Sequence, residues 1–193
     1  MQRQRVYLDT ARIASALALA LILAPASGRA QSPGLLARSI NNFSLDMTID
    51  QVKAAAGTPL TPLPGGHYKG TIEGIDYNFT FSAQGHLYCI ASRQQIAVFT
   101  PDDAFAAVLT ERLVAKYGPP AANKLPAGPA FWKFEESVPG ANGPAATRET
   151  ESLLVMLAGG GSQAVAVEMQ LQDLRIQRRD AAAAPRNEPL QPK

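Results

Sequence analysis

From residue 44 onward the apolar positions recur at two different spacings, and Gly and Pro break them at short intervals. Thr48 followed three residues later by Gln51 has the spacing of a capping box, with Met47 and Val52 at the two positions of a hydrophobic staple. A helix of about two to three turns is predicted there, ended by Gly57 and kept from resuming by Pro59. Segments 67–72, 77–81 and 86–93 then read as strands separated by turn signals such as Ala83-Gln84-Gly85. Tyr77, Phe79 and Phe81 alternate with Asn78 and Thr80, so the aromatics are predicted on the core face and Asn78 and Thr80 on its opposite.

A second cycle follows. Thr100-Pro101-Asp102-Asp103 offers a capping hydroxyl, a proline for the first helical position and carboxylates for the positive end of the helix dipole. Phe105, Val108, Leu109, Leu113 and Tyr117 make one predicted apolar stripe, and Gly118-Pro119-Pro120 closes the helix. Strands are predicted over 131–136, 152–158 and 164–174, the last with Val165, Val167, Met169 and Leu171 on one face and Glu168 and Gln170 on the other. The expected fold is α+β, with two helices packed on one antiparallel sheet as a duplicated α-β-β-β unit. Its halves span 44–99 and 100–174 of a single domain, 44–174, behind a linker at 31–43.

The 193 residues, 46% hydrophobic and 18% charged, are globular in composition and suffice for one domain. The two ends change that picture. Residues 1–30 combine Arg3, Arg5 and Arg12 with an apolar run over 13–24 and the small residues Gly28 and Ala30, the pattern of an export signal. Cleavage is expected between Ala30 and Gln31, with Ala24-Pro25-Ala26 as an earlier option. The apolar run is shorter than the roughly 20 residues a membrane span needs, so no stable span is expected after cleavage. The other end, 175–193, carries Pro185, Pro189 and Pro192 and reads as a disordered basic tail able to touch anionic surfaces.

Charge follows the same division. The whole chain has 18 basic and 16 acidic side chains, a net charge of +2. Residues 31–174 hold nine basic against 13 acidic groups, so the body is mildly acidic. That excludes the concentrated cationic face that nucleic-acid binding requires.

The string Leu45-Asp46-Met47-Thr48-Ile49-Asp50-Gln51-Val52 with Gly57-Thr58-Pro59 resembles the helix signature of the SmpA/OmlA outer-membrane assembly lipoproteins. Leu113-Val114-Ala115-Lys116-Tyr117-Gly118-Pro119 looks like a second copy, and a tandem of such units is similar to the β-lactamase inhibitor protein fold. The resemblance implies a periplasmic or secreted bacterial module that binds other proteins through a sheet face and loops, without enzymatic activity or cofactor. Two departures stand out. Asp46 occupies the family's usual glycine position, and no cysteine stands at the expected mature N-terminus to carry a lipid.

Chemistry-bearing residues are few. Cys89 is the sole cysteine, in an apolar context that favours an inert thiol. His67 and His86 are the two histidines and the weak candidates for a metal. With Cys89 they barely reach the three protein ligands of a catalytic zinc site, and His86 and Cys89, three apart on a strand, face opposite ways. Gly159-Gly160-Gly161-Ser162 lacks the lysine of a phosphate loop and reads as a hairpin turn. Adjacent Glu135 and Glu136 read as solvated charges, and segment 137–148 as a mobile contact loop. Asn42-Phe43-Ser44 and Asn78-Phe79-Thr80 match the glycosylation acceptor pattern, which carries little meaning in a bacterial protein.

These readings predict no enzyme and no cofactor. The expected role is an exported domain that binds another envelope or secreted protein, with Tyr68, Tyr88 and Trp132 as contact candidates and Trp132 favoured as core because Phe134 shares its face. The alternative is a periplasmic module binding a metal or small ligand around His67 and His86.

Overall fold

The structure, a computed structural model, describes residues 37–96, 100–138, 146–160 and 163–183. The leader, its Ala30–Gln31 cleavage site and the chain beyond residue 183 lie outside the described residues, as do 139–145 of the expected contact loop.

Ten strands and three helices are described. A small hairpin pairs β1 (Ser39–Ile40) with β2 (Phe43–Ser44). Helix α1 (Ile49–Ala56) precedes β3 (Thr61–Leu63), β4 (His67–Ile72), β5 (Ile75–Phe81) and β6 (Leu87–Gln95). Helix α2 (Asp103–Tyr117) precedes β7 (Ala122–Asn123), β8 (Ala130–Val138), β9 (Ala146–Gly160) and β10 (Gln163–Asp173), and α3 (Leu174–Ala183) ends the described chain. Strands β3 to β10 form one eight-stranded sheet in the order β3-β4-β5-β6-β10-β9-β8-β7, every neighbour antiparallel. Both halves run inward from a short edge strand and meet at the β6–β10 seam, where Ala91 opposes Gln170 and Arg93 opposes Glu168.

Local chemistry explains the first elements. The Thr48 hydroxyl accepts from Gln51 N–H at 3.3 Å while the Gln51 side chain accepts from Thr48 N–H at 2.8 Å, so the predicted capping box forms. Gly57 closes α1 at φ 62°, a left-handed value that a side chain would strain. Glu73 and Gly74, both with positive φ, make the two-residue turn that sets Ile72 against Ile75 and thereby the β4–β5 register.

Tyr77, Phe79 and Phe81 lie on the covered face of β5, at 4% exposure or less. Phe43 meets them edge-on, its ring centroid 5.0 Å from Tyr77 and 4.8 Å from Phe79. On the other half Leu153, Val155, Val165, Val167, Met169 and Leu171 fill the same layer with aliphatic side chains. Val52 and Ala56 of α1 and Leu109, Leu113 and Tyr117 of α2 belong to this one core.

Four expectations need correction. The α+β class and antiparallel sheet hold, but three helices are described, and α3 occupies 174–183 where a solvated tail was expected. Ile176 and Asp180, one turn apart on the same face, are both buried, so tertiary contacts order a segment whose composition alone would not. Of the expected linker at 31–43, residues 37–43 are part of the fold, because Ala37, Ile40 and Phe43 are core. The α2 cap is Asp102, whose carboxylate accepts from Phe105 N–H at 2.8 Å, two residues beyond Thr100. Val108 leaves the predicted stripe at 47% exposure, and Ala106 takes its place on the buried line with Leu109, Leu113 and Tyr117. Short β3 and β7 were not predicted, since two or three residues hold no readable alternation.

Candidate functional site

Register fixes which side chains share the face of the sheet opposite the core helices. One row runs Thr61, Lys69, Asn78, Ala91, Gln170, Leu154, Phe131, and a second runs Thr71, Asp76, Arg93, Glu168, Met156. Their neighbours along each strand face the helices, so these rows lie opposite the core. A concavity of about 300 Å³ opens over the seam, lined among others by Asn78, Ala91, Arg93, Leu154, Met156 and Gln170.

The rows change character as they cross the sheet. On the β3–β6 side they are polar, and Arg93 bridges the seam to Glu168 at 3.0 Å with its side chain 53% exposed. On the β8–β9 side they turn apolar through half-buried Phe131, Leu154 and Met156. Lys133 carries its ammonium 5.5 Å from the centroid of the Phe131 ring, a cation resting at the rim of the apolar strip. An apolar strip beside a charged one suits a protein surface of mixed character.

The named contact candidates sit elsewhere. Trp132 is 2% exposed and donates its indole N–H to the Gly118 carbonyl at 2.7 Å, which ties β8 to the end of α2 and removes it as a contact. Tyr68 opposes Phe79 and meets Phe81 edge-on at 5.5 Å, under Lys53, so it belongs to the helix-covered side. Tyr88 occupies the irregularity between Leu87 and Cys89 and is half-buried against the core. The side chains of Glu135 and Glu136 lie outside the described set. Sequence reasoning placed Asn78 on the open face but passed over Phe131, Leu154 and Met156. Their signal was the parity opposite Trp132, Leu153 and Val155.

His67 and His86 are held by separate partners. His67 Nδ1 lies 3.1 Å from Thr80 Oγ1, and His86 Nδ1 lies 2.8 Å from Asp180 Oδ2 on α3. Among the described residues no group of three His, Cys, Asp or Glu side chains is placed to hold a metal. Burial pushes the Cys89 thiol up to about 11, which keeps it protonated and unreactive at neutral pH.

Ser82, His86 and Asp180 have the residue types of a hydrolytic triad but another geometry. The Ser82 hydroxyl donates to Asp180, the carboxylate that also holds His86, and accepts from the His86 backbone N–H at 3.1 Å. An activated serine must give its proton to the imidazole, and here it is bonded to the acid. The group is a latch. Arg179 extends it by binding Asp180 at 2.7 Å and Asp46 at 2.8 Å, so α3 grips both the β5–β6 turn and the chain entering α1. Burial would raise the Asp180 pKa, but hydrogen bonds from Arg179, Ser82 and His86 outweigh it and hold the carboxyl well below the usual range.

A second charged group closes the same end. Glu151 and Asp173 oppose each other across β9 and β10, each 1% exposed, and Arg38 and Arg175 bind both. Desolvation raises the Glu151 pKa against the pull of the two arginines. For Asp173 desolvation is outweighed by hydrogen bonds from Arg175 and Arg38, and its pKa falls. The two guanidiniums shield the carboxylates, so the cluster ties α3 and β1 to the sheet without presenting an acid or base outward.

No family model, curated protein or solved structure matches this chain. Among the described residues no helix is long and apolar enough to cross a membrane.

Proposed function

We propose that this chain is an exported, non-enzymatic domain that binds another envelope or secreted protein through the uncovered face of its central sheet. The observation that carries the reading is the row Asn78, Ala91, Gln170, Leu154, Phe131, which crosses the seam from polar to apolar on the face that no helix covers among the described residues. The export pattern of residues 1–30 and the resemblance to SmpA/OmlA proteins around Thr48 support it. The like order of helix and four strands in each half, meeting at β6–β10, supports a duplicated unit and the similarity to the β-lactamase inhibitor protein fold. The role assigned to Ser82, His86, Asp180 and the Glu151 pair is structural.

The metal or small-ligand alternative has less behind it. His86 is engaged by Asp180, and an open concavity of about 300 Å³ sits at the lower bound of small-molecule pockets.

Site-specific photocrosslinking tests the proposal. A photoreactive residue at Leu154 is expected to yield a discrete protein adduct in envelope preparations, while the same residue at Glu111, exposed on α2, yields none. Equal adducts at both positions, or none at Leu154, would contradict it.

A further inference from the structure

The concavity over the β6–β10 seam has a small floor and a mixed lining. Ala91 stands in its row between Asn78 and Gln170, and Arg93 is the next residue on the same side of β6. A single methyl among longer side chains makes a dip, and the space over it is about 300 Å³. Toward β9 the lining is apolar, through half-buried Leu154 and Met156. Elsewhere it is polar. Asn78 and Gln170 bring one exposed amide each, and Arg93 is paired to Glu168 at 3.0 Å while its side chain stays 53% exposed.

This lining discriminates between kinds of anchor. A charged side chain gains little, because Arg93 and Glu168 already neutralise each other. An aliphatic side chain suits Leu154 and Met156 but strips water from the Asn78 and Gln170 amides without replacing its hydrogen bonds. A tyrosine or tryptophan satisfies both sides. Its ring packs on Leu154 and the Met156 thioether, its face accepts the Arg93 guanidinium, and its O–H or N–H donates to an amide oxygen of Asn78 or Gln170. The volume is at the lower bound for a whole small molecule, yet ample for one anchoring side chain at the centre of an interface.

We propose that this concavity is a socket for one aromatic side chain with a polar tip, tyrosine or tryptophan, presented by the protein that docks on this face. The inference rests on the docking reading and adds to it the residue the partner must carry. Ala91 is the floor of the socket, Met156 and Leu154 its apolar side, and Arg93 its cationic rim.

Methyl NMR of the exported chain, labelled at Ala, Met and Leu methyls, tests it with N-acetyl-tyrosinamide and N-acetyl-tryptophanamide as probes. Ring currents are expected to move the Ala91, Leu154 and Met156 methyls in a saturable way, with Kd about 1–10 mM, while Met47 ahead of α1 stays in place. N-acetyl-leucinamide should bind at least about fivefold more weakly. Ala91→Leu fills the dip and should abolish the shifts, and Arg93→Gln should weaken binding by about threefold. Thermal melts of both variants separate a lost socket from lost folding. No shift at these methyls up to about 50 mM, or equal binding of the leucine probe, overturns the proposal. So do shifts that persist unchanged in a folded Ala91→Leu. The readout is separate from crosslinking: a Leu154 adduct without methyl shifts overturns the socket alone, and methyl shifts without a Leu154 adduct overturn the docking reading alone.

Discussion

The two halves of the sheet share an order of elements and differ in what fills them. The β3–β6 half packs aromatics, with Phe43, Tyr77 and Phe79 within 5.5 Å of one another and a polar outer face. The β7–β10 half packs Leu, Val and Met around a single indole, carries the buried Glu151–Asp173 pair, and has an apolar outer strip. Both halves hold α3: the aromatic half through Ser82, His86 and Asp46, and the aliphatic half through Glu151 and Asp173.

The comparison breaks most sharply if the halves unfold separately. Trp132→Ala should cost about 3–5 kcal/mol, and Phe79→Ala a similar amount, as each empties a site at 2% exposure or less. Both variants should melt in one transition, because seven residue pairs join β6 to β10. A calorimetric trace with two peaks for either variant would show the halves to be independent.

The α3 latch should give the next largest effect. Asp180→Ala is expected to lose about 1–3 kcal/mol at pH 7, since it strands Ser82 and His86. The folded pKa of Asp180 is depressed, so its contribution is complete above the unfolded value of about 3.9 and drains as pH falls below it. Wild-type stability should therefore fall between about pH 4 and pH 2 more steeply than that of Asp180→Ala, with hydrogen exchange over 174–183 as the local readout. Parallel acid limbs for the two proteins would remove Asp180 from that role.

A gain is expected at Lys116. Its ammonium is buried without a hydrogen-bond partner, 5.3 Å from the Tyr117 ring centroid, and burial lowers its pKa to about 8. The unfolded chain binds this proton more tightly, so wild-type stability should rise with pH through about 8 to 10.4. Lys116→Met should raise stability at pH 7 by about 1–2 kcal/mol and flatten that rise. Urea titrations at pH 7 and pH 10 check both statements.

Asp46→Gly should change little. Asp46 holds φ 74° and an exposed pair with Arg179, so the strain relieved, about 1 kcal/mol, offsets the weak ion pair lost. A change above about 1.5 kcal/mol in either direction would mean that the latch leans on Asp46 more than its exposure allows.

What could be read in advance was local. Thr48 and Gln51 specify a cap by spacing, and Tyr77, Phe79 and Phe81 specify a buried face by alternation. What escaped depends on partners far along the chain. Helix α3 forms around Asp180, whose ligands are 94 and 98 residues away, and Arg179 meets Asp46 across 133. The proposed docking face was half legible. Asn78 followed from the aromatic alternation, but Leu154 and Met156 sit in a strand apolar on both faces, where the pattern does not say which side is covered.

The most direct test of the central claim compares the two halves of the open face. Leu154→Asp and Asn78→Asp both add a charge to the same cross-strand row, one in the apolar strip and one in the polar strip. In a quantitative binding assay against the protein crosslinked at Leu154, Leu154→Asp should weaken capture by at least about tenfold. Asn78→Asp should change it less than about threefold, and both variants should melt as wild type. Equal affinities for the two variants would contradict the claim that this face, and its second half above all, is the docking surface.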